Sequence, residues 1–84
     1  TITKEKLAMV ERAEDLLREQ GFRQFRVRIH GTNARIELLP EDIPRMLDEN
    51  LRKEIVDKLK RYGFTYITLD LEGYRTGSMN EVLV

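Results

Sequence analysis

The segment Gly21-Phe22-Arg23-Gln24-Phe25-Arg26-Val27-Arg28-Ile29-His30-Gly31 decides the fold of this chain. In its second half apolar and polar residues alternate, which is the pattern of a β-strand with one face on a core. Phe25, Val27 and Ile29 form the core set, so Arg26 and Arg28 share the opposite face, about 7 Å apart along the strand. The segment therefore predicts a helix end, a strand and a turn in succession.

The same pattern occurs twice. Leu59–Gly73 repeats Leu17–Gly31 at an offset of 42 residues, with Gly63 in the place of Gly21. Each copy contains a helix end, a Gly suited to the left-handed position after a helix, a Phe and an alternating strand. Two copies are too few for a solenoid, and they suit a two-layer domain in which two helices cover one sheet.

The remaining elements follow from periodicity and capping residues. They are a first helix over Lys4–Gln20 with Thr3 as its N-cap, a returning strand over Ala34–Leu39, a short helix capped by Asp42, a longer helix capped by Asp48 or Asn50, and a third strand over Thr65–Leu71. Because a strand–helix–strand crossover is almost always right-handed, the third strand should run parallel to the second. The predicted fold class is α+β: a two-layer α-β-β-α-β domain, a ferredoxin-like split unit whose three-stranded sheet is covered by two helices.

Two registers of the first hairpin keep its faces consistent. In the first, Glu37 lies opposite Arg26, and the arginines at positions 28 and 35 are paired. In the second, every pairing moves by two residues, so that Glu37 lies opposite Arg28. The second avoids a direct pair of arginines and is favoured. In both registers Glu37 lies on the arginine face.

Composition limits the classes of function. The 84 residues make one domain with a modest core, and 15 Lys and Arg against 15 Asp and Glu argue against a general nucleic-acid or membrane binder. The chain has no apolar run that could span a bilayer, no signal-peptide pattern and no Cys, so the cytoplasm is its expected location. The absence of Cys also excludes disulfides, thiolate metal sites and thiol catalysis.

The two arginines on one strand face are the clearest chemical signal. Neighbouring guanidinium groups can bind a phosphate or a pair of carboxylates. On spacing alone, the simpler alternative of a solvent-exposed face whose arginines pair with Glu37 is favoured. The carboxylates of Glu14, Glu37 and Asp42 could hold a hard cation such as Mg²⁺. The simplest role of Glu14, however, is an ion pair with Arg18 one helical turn later.

Other catalytic and binding motifs are missing from the sequence. It contains no nucleophile–base arrangement, no phosphate loop of recognised spacing and no nucleic-acid-binding motif. The segment Gly73–Asn80, with Arg75, Ser78 and Asn80 as candidate ligand contacts, has the composition of a binding loop and equally that of a frayed tail. The residues by themselves indicate an anion-binding α+β module.

Four stretches carry a family resemblance. They are Gly21–Arg28, Ala34–Glu37, Pro40–Pro44 and Tyr66–Asn80. Together they resemble the C-terminal domain of the LarE family, which comprises PP-loop, ATP-dependent sulfur transferases. These enzymes adenylate a carboxylate of a nicotinic-acid-derived mononucleotide and then add sulfur to it, to make the pincer ligand that binds nickel in lactate racemase. The resemblance covers essentially the whole chain, and the last stretch is the most specific.

The resemblance implies a role for each matching residue. Arg26 and Arg28 match the family's paired arginines, which bind a substrate phosphate. Glu14 and Glu37 match acidic positions implicated in metal binding, and Asp42 is a weaker match to a third.

The resemblance also predicts what this chain lacks. The family's Ser-Gly-Gly-type loop for ATP lies in an N-terminal domain, and its sulfur-donating cysteine would precede Thr1. The chain is therefore expected to be a single domain, residues 1–84, that is a C-terminal fragment of a longer PP-loop ATPase and is inactive alone. It should bind no cofactor by itself, whereas the full-length protein would use ATP and Mg²⁺.

The partners expected from the resemblance are the missing N-terminal domain and a nucleotide-like small molecule. The alternative is a stand-alone ferredoxin-like module for ligand binding or oligomerisation. A three-stranded sheet has an open edge, which a second domain or a second copy of the chain would cover.

Overall fold

A computed structural model of the protein describes residues 2–75. Its elements are α1 (Lys4–Glu19), β1 (Phe25–His30), β2 (Asn33–Leu38), a 3₁₀ helix (Pro40–Leu47), α2 (Glu49–Arg61) and β3 (Tyr66–Leu69). The strand order is β1-β2-β3, with β2 antiparallel to β1 and parallel to β3. The predicted α+β fold with the order α-β-β-α-β is confirmed, and the short 3₁₀ helix lies between β2 and α2.

Both helices pack on the sheet face predicted to be the core. Val27, Ile36 and Leu38 are buried on that face, beneath Leu17 of α1 and Ile55 of α2. The helix α1 lies against β1, and α2 lies against β3. The other face of the sheet carries the polar residues of the strands and is not covered by either helix.

The two copies of the repeat end their helices in the same way. Gly21 and Gly63 have φ of +95° and +115°, values that residues with a Cβ rarely adopt. Just after them, Phe22 N donates to Leu17 O and Phe64 N donates to the equivalent carbonyl of α2, each at 3.1 Å. This is the hydrogen-bond pattern of a Schellman motif, in which the residue after the Gly packs back onto the core. The repeat in the sequence therefore corresponds to a repeated structure, in which each helix ends in the same motif.

The observed hairpin register is the one that was not favoured. Glu37 lies opposite Arg26, and Arg28 lies opposite Arg35. A two-residue turn begins at Gly31, whose φ is +61°, and joins the directly paired ends of the strands. Such turns match the twist of a hairpin, and this turn sets every pairing beyond it. The Arg–Arg pair is tolerated because Glu37 accepts a hydrogen bond from both guanidinium groups.

The helix starts agree with the prediction at two of three places. The side chain of Thr3 caps α1 by accepting from Lys6 N, and the side chain of Asp48 caps α2 by accepting from Leu51 N. The cap predicted at Asp42 is wrong, because the 3₁₀ helix begins at Pro40 and Asp42 lies within its first turn. Proline suits the first position of a helix, where no N–H is needed. Among residues 2–75, no helix is both long enough and apolar enough to cross a membrane.

The third strand is shorter than predicted. Asp70 ends it, since its Oδ1 accepts from Glu72 N at 2.9 Å and its carbonyl accepts from Gly73 N at 3.1 Å. This turn directs Leu71 into solvent, where it is 83% exposed instead of extending the core face. Beyond the turn, Tyr74 N donates to Leu38 O at 2.6 Å, so the chain rejoins β2.

Candidate functional site

The uncovered face of the sheet gathers the basic residues predicted to bind an anion. Arg26 and Arg28 of β1 lie beside Arg35 and Glu37 of β2, as the register requires. Arg35 also belongs to this face, because it alternates with the buried residues Ala34 and Ile36 along β2, and sequence reasoning missed it as a site residue. The structure places it directly across from Arg28, so the face holds three guanidinium groups rather than two.

Glu37 links two of these arginines. Its carboxylate is nearly buried, at 8% exposure for the residue, and its Oε2 accepts from Arg28 Nε and from Arg35 Nη2, each at 3.2 Å. One carboxylate therefore balances part of the charge of both arginines and restrains their side chains. The expected pairing of the arginines with Glu37 is correct for Arg28. Because Nε carries the bond to Glu37, the two Nη groups of Arg28 stay available to a ligand.

Arg35 has a further acidic neighbour. Its Nε lies 3.9 Å from Asp70 Oδ2, which is too long for a hydrogen bond but close enough for electrostatic attraction. That Nε is buried and has no hydrogen-bond acceptor among residues 2–75. The carboxylate of Asp70 is engaged in the turn after β3 through its other oxygen. Arg35 is therefore held between two carboxylates, and both lie on the arginine face.

Arg26 has a different environment from the other two arginines. It is exposed, and within residues 2–75 it takes part in no ion pair. Its guanidinium carbon lies 5.8 Å from the centroid of the Tyr74 ring, within the range of a cation–π contact. Its hydrogen-bond donors are thus not committed to a carboxylate. Sequence reasoning missed Tyr74, because nothing local predicts that the chain returns to this face after β3.

Glu14, one predicted metal ligand, lies elsewhere. Its Oε2 accepts from Val27 N at 3.3 Å, so it reaches the backbone of the edge strand β1 from the helix layer. The expected ion pair between Glu14 and Arg18 is wrong, since Arg18 pairs instead with Asp15 at 2.9 Å. By occupying a donor of the open edge, Glu14 makes that edge a poorer template for another strand.

The three predicted metal ligands do not meet in the described part of the chain. Glu37 lies on the arginine face, Glu14 belongs to the helix layer, and Asp42 lies in the 3₁₀ helix. Across residues 2–75, no group of three or more His, Cys, Asp or Glu side chains is placed to hold a metal ion. The described residues therefore do not by themselves form the Mg²⁺ site, and the assignment stays a prediction about a longer protein.

The predicted binding loop is described only in its first part. Arg75 Nη2 lies 3.3 Å from Glu72 Oε1, three residues earlier in the chain. Ser78 and Asn80 lie outside the described residues. Arg75 follows Tyr74 directly, so the start of the loop lies next to the arginine face.

An apolar groove of about 460 Å³ lies on the opposite side of the sheet. Its walls come from the 3₁₀ helix, α2 and β3, and Leu47 and Leu71 at its margin are 80% and 83% exposed. It contains few polar groups, so it is not a site for an anion. An apolar groove is the kind of surface that an oligomerisation module would use. The alternative expectation of such a module stays a prediction.

Comparison with known proteins identifies relatives along nearly the whole chain, although no family model matches it. The uncharacterised protein slr1717 of Synechocystis is 49% identical over 82 residues, which are 98% of this chain. Pyridinium-3,5-bisthiocarboxylic acid mononucleotide synthase of Lactiplantibacillus plantarum is 45% identical over 83 residues, or 99% of the chain. The uncharacterised protein MJ0830 of Methanocaldococcus jannaschii is 35% identical over 75 residues, or 89% of the chain.

The relatives are much longer than this chain. The chain spans 31% of the Synechocystis protein and 29% of each of the other two. The similarity therefore concerns one part of each relative.

Proposed function

Because the chain belongs to the LarE family over its own length, we propose that it is the C-terminal part of a PP-loop, ATP-dependent sulfur transferase and binds the phosphate of a mononucleotide substrate. The observation that carries the proposal is the pair Arg26 and Arg28, side by side on a sheet face that neither α1 nor α2 covers. The relative from Lactiplantibacillus plantarum is named for a mononucleotide, whose phosphate is a ligand that neighbouring guanidinium groups bind well. In this proposal the substrate is a nicotinic-acid-derived mononucleotide.

The two arginines contribute differently to binding in this proposal. Arg28 is held by Glu37 through Nε and offers its Nη groups to the phosphate. Within residues 2–75 Arg26 forms no ion pair with a carboxylate, and in this proposal it therefore supplies most of the electrostatic attraction. Since both side chains are partly or fully exposed, binding should weaken as salt is added.

Adenylation and sulfur addition belong to the rest of the longer protein. In the proposal, a PP-loop domain preceding this one binds ATP with Mg²⁺ and is the main partner of this domain, and the protein works in the cytoplasm to make a nickel pincer cofactor. Glu14, Glu37 and Asp42 remain predicted ligands for a metal in that assembly. Further ligands from the rest of the longer protein would be needed, because residues 2–75 contain no group of three or more His, Cys, Asp or Glu placed to hold a metal ion.

Arg28→Ala in the full-length protein should reduce sulfur transfer and leave the fold intact. One or two charge-assisted hydrogen bonds to phosphate are lost, which corresponds to about tenfold weaker mononucleotide binding or more. ATP affinity should change much less, since ATP binds to the other domain. Steady-state kinetics with each substrate varied, together with a thermal melt of the same variant, measures both effects.

The competing explanation for Arg28 is a structural pair with Glu37. In that case the variant would show normal turnover and a slightly lowered melting temperature, because an ion pair whose arginine is partly exposed to solvent contributes about 0–1 kcal/mol. Arg18→Ala is the matched control, since Arg18 is also paired to a carboxylate but lies on α1, away from the arginine face. Normal turnover in Arg28→Ala would overturn the phosphate assignment.

The isolated chain should neither release AMP and pyrophosphate from ATP nor transfer sulfur. The reason is that residues 1–84 contain neither a recognised phosphate loop nor a thiol. An assay of AMP and pyrophosphate release, with and without the mononucleotide, checks this expectation. Turnover that exceeds the blank and persists through repurification would contradict the proposal that adenylation and sulfur addition belong to the rest of the longer protein.

A further inference from the structure

We propose that Tyr74 is a positioning residue for substrate binding, because its ring holds the guanidinium of Arg26 in place without neutralising it. The proposal rests on the proposed function, in which Arg26 is a phosphate ligand. Tyr74 is half-buried, and Arg26 reaches over its ring at 5.8 Å from the centroid. The contact joins two parts of the chain that are distant in sequence.

The backbone before Tyr74 is built so that this residue reaches the arginine face. Gly73 has φ of +87°, and a Cβ at this position would lie 2.7 Å from Leu38 O, closer than real Cβ atoms come to backbone. Only glycine therefore allows the close approach in which Tyr74 N donates to that same carbonyl. The turn at Asp70 also fixes the preceding residues through two hydrogen bonds. The position of the ring is thus set by the backbone.

The three arginines of this face are restrained by two different means. Glu37 restrains Arg28 and Arg35 by accepting their hydrogen bonds, which also cancels part of their charge. The ring of Tyr74 attracts the Arg26 cation through its face and carries no formal charge. Among residues 2–75, no carboxylate is paired with Arg26, so its charge is available to a ligand. An anion approaching this face would find its strongest attraction at Arg26.

Restraining Arg26 before the ligand arrives lowers the cost of binding. A free arginine loses side-chain conformational entropy when it is ordered. If the ring has already limited its rotamers, less of that entropy is lost when phosphate binds, which is the benefit of preorganisation. This mechanism changes the affinity for the phosphate-bearing substrate and leaves the rate of the chemical step unchanged.

The test is a double-mutant cycle in the full-length protein, with nicotinic acid mononucleotide as the probe in calorimetry and kinetics. Tyr74→Leu should weaken binding about two- to fivefold, the factor that a cation–π contact carries at an exposed site. The KM for the mononucleotide should rise by a similar factor while kcat stays constant. In an Arg26→Ala background, Tyr74→Leu should have no further effect. Tyr66→Leu is the matched control, because Tyr66 is an exposed tyrosine at the far end of the sheet.

A second pair of variants separates the π contact from packing. Tyr74→Phe keeps the ring face and should bind the probe as the parent does. Replacing Tyr74 by pentafluorophenylalanine keeps nearly the same shape but reverses the charge distribution of the ring, so it should bind as weakly as Tyr74→Leu. Equal affinities of these two aromatic variants would overturn the proposal, even if Tyr74→Leu failed to fold.

The outcomes also distinguish this inference from the function on which it rests. If Arg26→Ala leaves mononucleotide binding unchanged, the phosphate assignment of Arg26 fails, and the role of Tyr74 fails with it. If Arg26→Ala weakens binding but Tyr74→Leu does not, the proposed function stands and the positioning role is wrong. Additive effects of the two substitutions would likewise show that Tyr74 does not act through Arg26.

Discussion

Val27→Asp should abolish the cooperative unfolding transition of this domain. Val27 is 4% exposed and faces the helix layer at the centre of β1, in the segment around which the fold is organised. An unpaired charge there costs about 3–5 kcal/mol or more, and a small domain has only about 5–15 kcal/mol of stability in total. A thermal melt followed by circular dichroism should show an unfolded or barely folded chain at room temperature.

Two substitutions of leucine by aspartate provide a comparison for the Val27→Asp result. Leu69→Asp should act in the same direction but less strongly, since Leu69 is only partly buried at the edge of the core. Leu71→Asp introduces the same charge two residues later, at a side chain that is 83% exposed, and should leave the melting temperature nearly unchanged. A Val27→Asp variant as stable as the parent would show that the core face has been assigned incorrectly.

Gly73→Ala should lower the free energy of unfolding more than an alanine substitution at Gly31 does. The left-handed backbone costs an alanine about 1–2 kcal/mol, and the added Cβ would also collide with Leu38 O at 2.7 Å. Since a backbone carbonyl in β2 cannot move aside cheaply, we expect a total loss on the order of 3 kcal/mol. A loss of that size lowers the melting temperature of a domain like this one by roughly 12–24 °C.

Gly31→Ala provides the matched control for the collision. Gly31 also has a positive φ, at +61°, but a Cβ there would meet no atom within 4 Å. It should therefore lose only the backbone term of about 1–2 kcal/mol. If the two alanine variants melt at the same temperature, the collision between the added Cβ at position 73 and Leu38 O costs no stability, which would contradict the prediction. In the full-length protein Gly73→Ala should also weaken mononucleotide binding, because the displaced backbone carries Tyr74 away from Arg26.

The parts of the fold that were predicted correctly depend on neighbouring residues or on rules of chirality. Alternation in Gly21–Gly31 assigned Phe25 and Val27 to the core face, and the glycine after each helix located both helix ends. The handedness of crossovers predicted the parallel pairing of β2 with β3. Each of these inferences uses residues within one element or a general constraint on the chain, so no knowledge of a specific distant contact was needed.

Two of the predictions that failed, the hairpin register and the start of the short helix, required a choice between near-equal local options. The hairpin register depends on a two-residue turn at Gly31. The geometry of this turn outweighs the small penalty for opposing arginines, because Glu37 bridges them. Asp42 and Pro40 were both acceptable residues for a helix start, and the structure uses Pro40. Differences of a few tenths of a kcal/mol decide such cases, and pattern analysis does not resolve them.

By itself, the sequence determined that this protein is a two-layer α+β domain with arginines on the sheet face away from its core, because side-chain period and backbone chirality act locally. Only the tertiary structure decided which groups surround those arginines. Glu37 restrains Arg28, whereas Tyr74 reaches Arg26 because Gly73 brings a distant stretch of backbone against β2. Contacts of this kind depend on where the whole chain folds back in space, and no local pattern encodes that.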